Sequence, residues 1–214
     1  MQNFKTILTV SPHPDDVELG CGASVRKQVL FGSVVHHVIL SDCSDTFIKT
    51  KFLPNTLVKE STKALKILGV GKSHIYAFRQ INKHFSEESR KIFEILEHLK
   101  DTLHPDLVIM PSLVDTHEDH QVVAQQTLHV FRRNTSIISY EQPWNTVRFT
   151  PNLFVKLSAE NLQIKCRALR IFESQRFLGR GYFDESFIRG WARMRGMQID
   201  AQYAEAFEIV KLIM

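Results

Sequence analysis

A strand-to-helix turn near the start of the chain constrains the fold more than any other feature. The apolar segment Lys5–Val10 reads as a buried strand, and Val17–Phe31 reads as a helix. Between them runs Ser11-Pro12-His13-Pro14-Asp15-Asp16, which crowds a histidine and two adjacent carboxylates onto the turn. Pro12 and Pro14 fix φ at two positions and bias their predecessors toward extended backbone. The turn is therefore stiff, as a preformed metal site requires. In an open parallel sheet, ligands bind at the carboxyl ends of the strands, which is where this turn falls. A plainer reading has one Asp capping the helix and the other solvated.

A second cluster weighs against the plainer reading. Asp106–Pro111 (DLVIMP) is another short apolar strand, and His117-Glu118-Asp119-His120 follows it, just before a helical stretch over Gln121–Arg132. Two His/Asp clusters at equivalent ends of two strands can converge in space although far apart along the chain. Catalytic zinc takes three protein ligands from His and carboxylate and keeps one position for water. His13, Asp16 and His120 would supply such a set. Asp15, His117 and Asp119 are then left for the chemistry of a metal-assisted hydrolysis. Ferrous iron suits the same His/His/Asp donors.

The rest of the chain alternates strand and helix. Val34–Leu40 reads as a strand, and Ser41 to about Asn55 as a polar loop long enough to rim the first strand's end. A helix over Thr56–Leu68 and a short strand over His74–Phe78 follow. Ser86 is expected to cap a helix with Glu87 and Glu88 in its first turn and Ile92, Leu96, Leu99 and Leu103 along one apolar stripe. Strands over Ser136–Glu141 and Leu153–Leu157 come next, then one helix from Ala159 to about Phe177. This βαβα pattern predicts an α/β fold with a mostly parallel central sheet covered on both faces. At 214 residues and 43% hydrophobic content, the chain suits a single domain spanning 1–214, with no linker or repeat inside it.

Composition excludes several classes. Met1–Lys5 leads into the first strand without a secretory signal, and no apolar run is long enough to span a bilayer. Cys21, Cys43 and Cys166 form no CxxC pair and read as reduced thiols of a cytoplasmic protein, Cys21 as a small buried hydrophobe. The +4 net charge hides an asymmetry: residues 148–196 hold ten Lys/Arg against four Asp/Glu. Arg167, Arg170, Arg176, Arg180, Arg189, Arg193 and Arg195 dominate that segment. They fit either an anionic group on a substrate or a solvated or subunit-facing surface. A nucleic-acid-binding module would not need the two His/Asp clusters. Among the other histidines, His104 precedes Pro105 and Asp106 at a helix end, where it favours the helix dipole. His36 and His37 alternate on one strand and cannot both face the same way. Trp144 and Arg148 are candidate rim residues.

PHPDDVELGCG and PSLVDTHEDH together resemble the two signature motifs of the LmbE-like, or PIG-L, family of zinc-dependent N-acetylglucosaminyl deacetylases. ESTKALKILGV at Glu60–Val70 and Tyr203-Ala-Glu-Ala-Phe207 resemble further family segments, so the likeness touches the whole chain. It implies a Rossmann-like three-layer sandwich, a homo-oligomer, and a small-molecule substrate: an N-acetylated amino sugar or conjugate, free or nucleotide-linked. It assigns His13, Asp16 and His120 to the metal and makes Asp15 the general base. His117 becomes the acid or oxyanion stabiliser, with Asp119 orienting it, while Asp15 or His117 protonates the leaving amine. The chain departs from the family at Leu57, at Ser41-Asp42-Cys43, and at Thr116 and Glu118, none of which is an expected ligand. The chemistry therefore carries over, and the identity of the substrate does not. The competing readings are a metal-dependent amidase or esterase acting on a non-sugar substrate, and a non-catalytic sugar- or metal-binding protein.

Overall fold

In the computed structural model, which describes residues 4–47 and 50–213, seven strands form one sheet. They are β1 (Thr6–Ser11), β2 (Val34–Ile39), β3 (Ile75–Ala77), β4 (Leu107–Pro111), β5 (Ser136–Tyr140), β6 (Leu153–Leu157) and β7 (Tyr203–Lys211). The helices are α1 (Asp16–Leu30), α2 (Thr56–Leu68), α3 (Ser89–Leu103), α4 (Glu118–Phe131), α5 (Ala159–Leu169), α6 (Glu173–Phe177) and α7 (Glu185–Met197). Met1, Gln2 and Asn3 of the expected lead-in, and Ile48 and Lys49 of the expected rim loop, lie outside the described residues.

The strand order is β3-β2-β1-β4-β5-β7-β6, with parallel pairing from β3 through β5 and β7 antiparallel to both its neighbours. The sheet is mostly parallel, as predicted. Strand alternation sorts the core into two layers. Ile7, Leu107, Ile109, Ile138 and Tyr140 face the layer of α1, α2 and α5, whereas Leu8, Val10, Val108, Met110 and Ile137 face that of α3 and α4. The result is the three-layer α/β sandwich.

This topology also places the site. From β1 the chain steps outward to β2 and β3, then crosses back to β4 on the other side of β1. That reversal opens a crevice beyond the carboxyl ends of β1 and β4, where ligands of such sheets bind. Both His/Asp clusters leave the sheet there.

Three local expectations are corrected. The helix expected at Ser86 begins at Ser89, because fully buried Phe85 holds the preceding turn against the core and its N–H reaches Asp119. The single helix expected over Ala159–Phe177 is two, broken where Phe172 turns into the core. Buried Glu60 then accepts hydrogen bonds from the N–H and hydroxyl of Ser174 at the start of α6. The long polar loop contains a 3-10 turn at Ser44–Phe47. His104 ends α3 as its C-cap, in the left-handed region at φ 46°. The three cysteines are free and buried, and no helix among the described residues is long and apolar enough to cross a membrane.

His36 and His37 separate as their alternation requires. His36 meets Tyr76 and His74, while His37 is fully buried with its Nδ1 2.7 Å from the Thr9 hydroxyl. Burial pushes His37 down to about 3 from 6.5. Above pH 6.5 both folded and unfolded chains carry it neutral. As the pH falls toward 3 only the unfolded chain takes up the proton, so stability is lost across that window, by on the order of a few kcal/mol. A His37→Gln variant is expected to lose less unfolding free energy between pH 7 and pH 4 than the parent in denaturant titrations. Equal losses would remove His37 from the acid response.

Candidate metal centre and active site

The first turn is folded by its own backbone. The His13 carbonyl accepts the N–H groups of Asp15 and Asp16, and the Asp16 carboxylate turns back to accept the His13 N–H at 2.7 Å. Asp15 occupies the N-cap position of α1, yet its side chain makes no capping bond. The plainer reading of the Asp pair therefore fails, and both carboxylates are committed to the crevice. At the second cluster His117 is the N-cap of α4, its Nδ1 accepting the Asp119 N–H at 3.2 Å, and His120 follows in the first turn.

The turns bring three donor atoms together. His13 Nδ1 lies 3.2 Å from His120 Nε2 and 3.4 Å from Asp16 Oδ2, and His120 Nε2 lies 3.4 Å from Asp16 Oδ1. The outer nitrogen of each imidazole is held by another carboxylate: His13 Nε2 donates to Asp119 at 3.0 Å and His120 Nδ1 to Asp115 at 2.8 Å. In the neutral rings each outer proton fixes the tautomer, so both inner nitrogens then present lone pairs to each other and to Asp16. Acceptors facing acceptors call for a cation between them. A tetrahedral ion with bonds of about 2.0–2.1 Å sets its ligand atoms about 3.3–3.4 Å apart, so His13, Asp16 and His120 fit zinc. His117 completes a wider group with His13 and His120, within 4.8 Å, but Asp16 closes the tighter triangle.

Without a cation, the same arrangement gathers a proton instead. Burial disfavours a charge on His13, but the hydrogen bonds of Asp119 and Asp16 outweigh it and push the imidazole up to about 10. Burial likewise opposes ionisation of Asp16, yet His120, His13 and Gln142 hold it below the usual carboxylate range. Asp15 is pushed up to about 6 by burial and by Asp16, against the pull of Arg180, whose Nη1 is 4.0 Å away. Burial and the neighbouring His120 and His13 push His117 down to about 4. His117 is thus neutral at pH 7, and because its Nδ1 accepts from the backbone, its proton sits on Nε2.

One expected contact is corrected: Asp119 meets the His13 ring, not the His117 ring. Its carboxylate is held by the backbone N–H groups of Lys83 and Phe85, on a loop that no sequence pattern tied to α4. Two partners were not anticipated. Asp115 lies inside the second motif, five residues before His120, a spacing that bridges the helix start. Gln142, just past β5, donates to Asp16 Oδ1 at 2.7 Å and carries no sequence signal of its own.

Around the centre lies a cavity of about 560 Å³. Trp144 and Tyr182 form one wall, their rings stacked at 4.2 Å and 9°, with Arg180, Asn145, Lys83, Asp45 and Cys43 also lining it. Arg148 is exposed and outside this lining. Of the seven arginines singled out above, only Arg180 faces the cavity. Arg170 and Arg189 pair with Glu185, and Arg195 forks onto Glu141. An Asp115→Ala substitution, which frees the His120 ring, is expected to lower zinc affinity about 10–100-fold in competition with a chromophoric chelator. Unchanged affinity would exclude His120 Nε2 as a ligand.

Comparison with known proteins places these features. The diacetylchitobiose deacetylase of Thermococcus kodakarensis is 28% identical over 228 residues, spanning 97% of this chain and 84% of that protein. The structure of N,N'-diacetylchitobiose deacetylase from Pyrococcus horikoshii superposes with a TM-score of 0.80 at 20% identity, covering 98% of this chain and 85% of that one. GalB, the 4-carboxy-2-hydroxymuconate hydratase of Pseudomonas putida, matches with the same TM-score at 18% identity, covering 98% of both chains. Shape alone therefore does not separate deacetylation from hydration. Residues 8–131 match the family described as PIG-L, GlcNAc-PI de-N-acetylase. That match takes in both His/Asp clusters and more than half of the residues, and the chain belongs to the PIG-L family.

Proposed function

We propose that this protein is a zinc-dependent N-deacetylase that removes acetyl from an N-acetylated amino sugar or its conjugate, releasing acetate and a free amine. The observation that carries the reading is the convergence of His13, Asp16 and His120 beside a carboxylate, Asp15, that the fold leaves uncapped. Zinc held by those three residues, or ferrous iron in its place, would supply Lewis acidity toward water and an amide carbonyl.

The remaining chemistry belongs to the chain. Asp15 takes the proton of the attacking water. Its raised pKa lets it keep that proton long enough to pass it to the leaving amine, and Arg180 favours its return to the anion. Neutral His117 donates its Nε2 hydrogen to the developing oxyanion. Asp119 and Asp115 hold the His13 and His120 rings in register. Trp144 and Tyr182 offer an aromatic wall to a sugar ring, with Asn145, Asn82 and Asp45 as polar partners for its hydroxyls. An amino-sugar substrate agrees with the name of the Thermococcus relative. Residues 1–214 act as one catalytic domain, and the three free buried thiols suit a cytoplasmic enzyme.

The test is acetate release by the zinc-loaded protein from N-acetylglucosamine presented free, nucleotide-linked and glycosidically linked to small acids. Asp15→Asn is expected to retain zinc and to lose about 10²–10⁴-fold in kcat. Trp144→Ala is expected to raise KM more than it lowers kcat. A zinc-loaded protein that releases no acetate from any of these substrates would replace this reading with hydrolysis of another amide or ester. Near-normal turnover by Asp15→Asn would remove Asp15 from the mechanism.

A further inference from the structure

Helix α1 is two pieces. At Cys21 the backbone leaves the helical region (φ −147°, ψ 20°), separating a first turn that carries Asp16 from the longer stretch toward Leu30. A break inside a buried helix strands carbonyls on one side and N–H groups on the other, and each needs a partner. On each side a partner comes from one buried ion pair drawn from far along the chain. Lys165 Nζ of α5 donates to the Leu19 carbonyl at 2.5 Å. Glu205 of β7 accepts the Ala23 N–H at 3.1 Å and the Ser24 N–H at 2.6 Å. The two charges meet at 2.6 Å and are 2% and 5% exposed. Lys165 thus closes the first piece and Glu205 opens the second. Gly20, between them, lies against Tyr140 so closely that a Cβ there would stand 2.5 Å from the ring.

A buried ion pair is a poor stabiliser compared with apolar side chains of the same volume. What this one does that apolar residues could not is satisfy both ends of a helix break and so fix the angle between the pieces. The piece held by Lys165 is barely more than one turn long, and its other end is Asp15 and Asp16. We propose that Lys165 and Glu205 are positioning residues of the metal centre, holding the α1 break that aims the Asp16 carboxylate at His13 and His120.

The inference rests on the metal reading above, and its test separates the two. Zinc affinity by chelator competition, the absorption spectrum of the cobalt(II) form and the melting temperature are measured on the full chain. The Lys165→Met/Glu205→Gln double variant removes both charges, so no unpaired ion is left buried. It is expected to melt below the parent, since the Leu19 carbonyl and one N–H lose their partners, and to bind zinc at least tenfold more weakly, a loss of the size expected for groups supporting metal ligands, with a shifted cobalt spectrum. Glu205→Asp, which keeps the charge but shortens its reach, is expected to weaken zinc binding in the same direction and serves if the double variant does not fold. Leu96→Ala, in the core layer across the sheet, supplies a destabilised control expected to keep the parent's affinity and spectrum.

Folded variants with the parent's zinc affinity and cobalt spectrum would overturn the proposal. So would an equal loss of affinity in Leu96→Ala, since affinity would then merely follow stability. A parent chain that takes up no zinc overturns the metal reading itself, and this inference with it, before any variant is made.

Discussion

Lone pairs aimed at a common point repel one another, and the centre of this protein is built from three sets of them. His13, Asp16 and His120 are brought within 3.4 Å of one another while Asp119 and Asp115 hold the outer ring protons on the far sides. Such an arrangement persists only if the surrounding fold is stiff and a positive charge relieves it. Stiffness comes from two prolines in the first turn, from the helix that starts at His117, and from the loop that ties Asp119 to the backbone of Lys83 and Phe85. The crevice between β1 and β4 is the one place in this strand order where two such turns meet.

The same constraint divides the labour among carboxylates. Asp16, ringed by hydrogen-bond donors and imidazoles, stays ionised. Asp15, next to it in sequence but uncapped and desolvated, is shifted the other way. Two adjacent and identical residues thus acquire opposite proton affinities from their surroundings, which suits one to holding a metal and the other to moving a proton. His117 differs from the other two histidines in a comparable way. Its Nδ1 is spent on the start of α4, which leaves a neutral ring with a donor directed elsewhere.

Much of this was legible in the sequence, for a definite reason. His13, Asp15, Asp16 and His120 lie on short motifs next to strands, where local order in the chain becomes local order in space. The partners were less legible because they arrive from elsewhere: Gln142 from beyond β5, and the Lys83–Phe85 amides from a loop whose only mark is a buried aromatic. The family resemblance pairs Asp119 with His117, whereas the helix start carries its carboxylate toward His13. The helix over Ala159–Phe177 looked continuous because its apolar spacing runs through Phe172, and periodicity does not show that a residue has left the helix to enter the core. The arginines illustrate the reverse case. Their clustering in the sequence fitted either an anionic ligand or a surface, and four of the seven are taken up by Glu185, Glu141 and the Gln202 carbonyl.

The place of β7 in the sheet has a consequence for the order of events during synthesis. It enters between β5 and β6, antiparallel to both, so β6 has no neighbour in the sheet until residues 203–211 exist. Glu205 on that strand is also what receives the stranded N–H groups of α1. A ribosome emitting residues one by one thus delivers both His/Asp motifs well before the strand that completes their support, since domains assemble as their segments emerge. For the interval between, the chain already holds both clusters and lacks part of the frame that α1 packs into. Assembly of the crevice is in this sense timed by the far end of the fold, since the strand behind α1 is among the last to emerge.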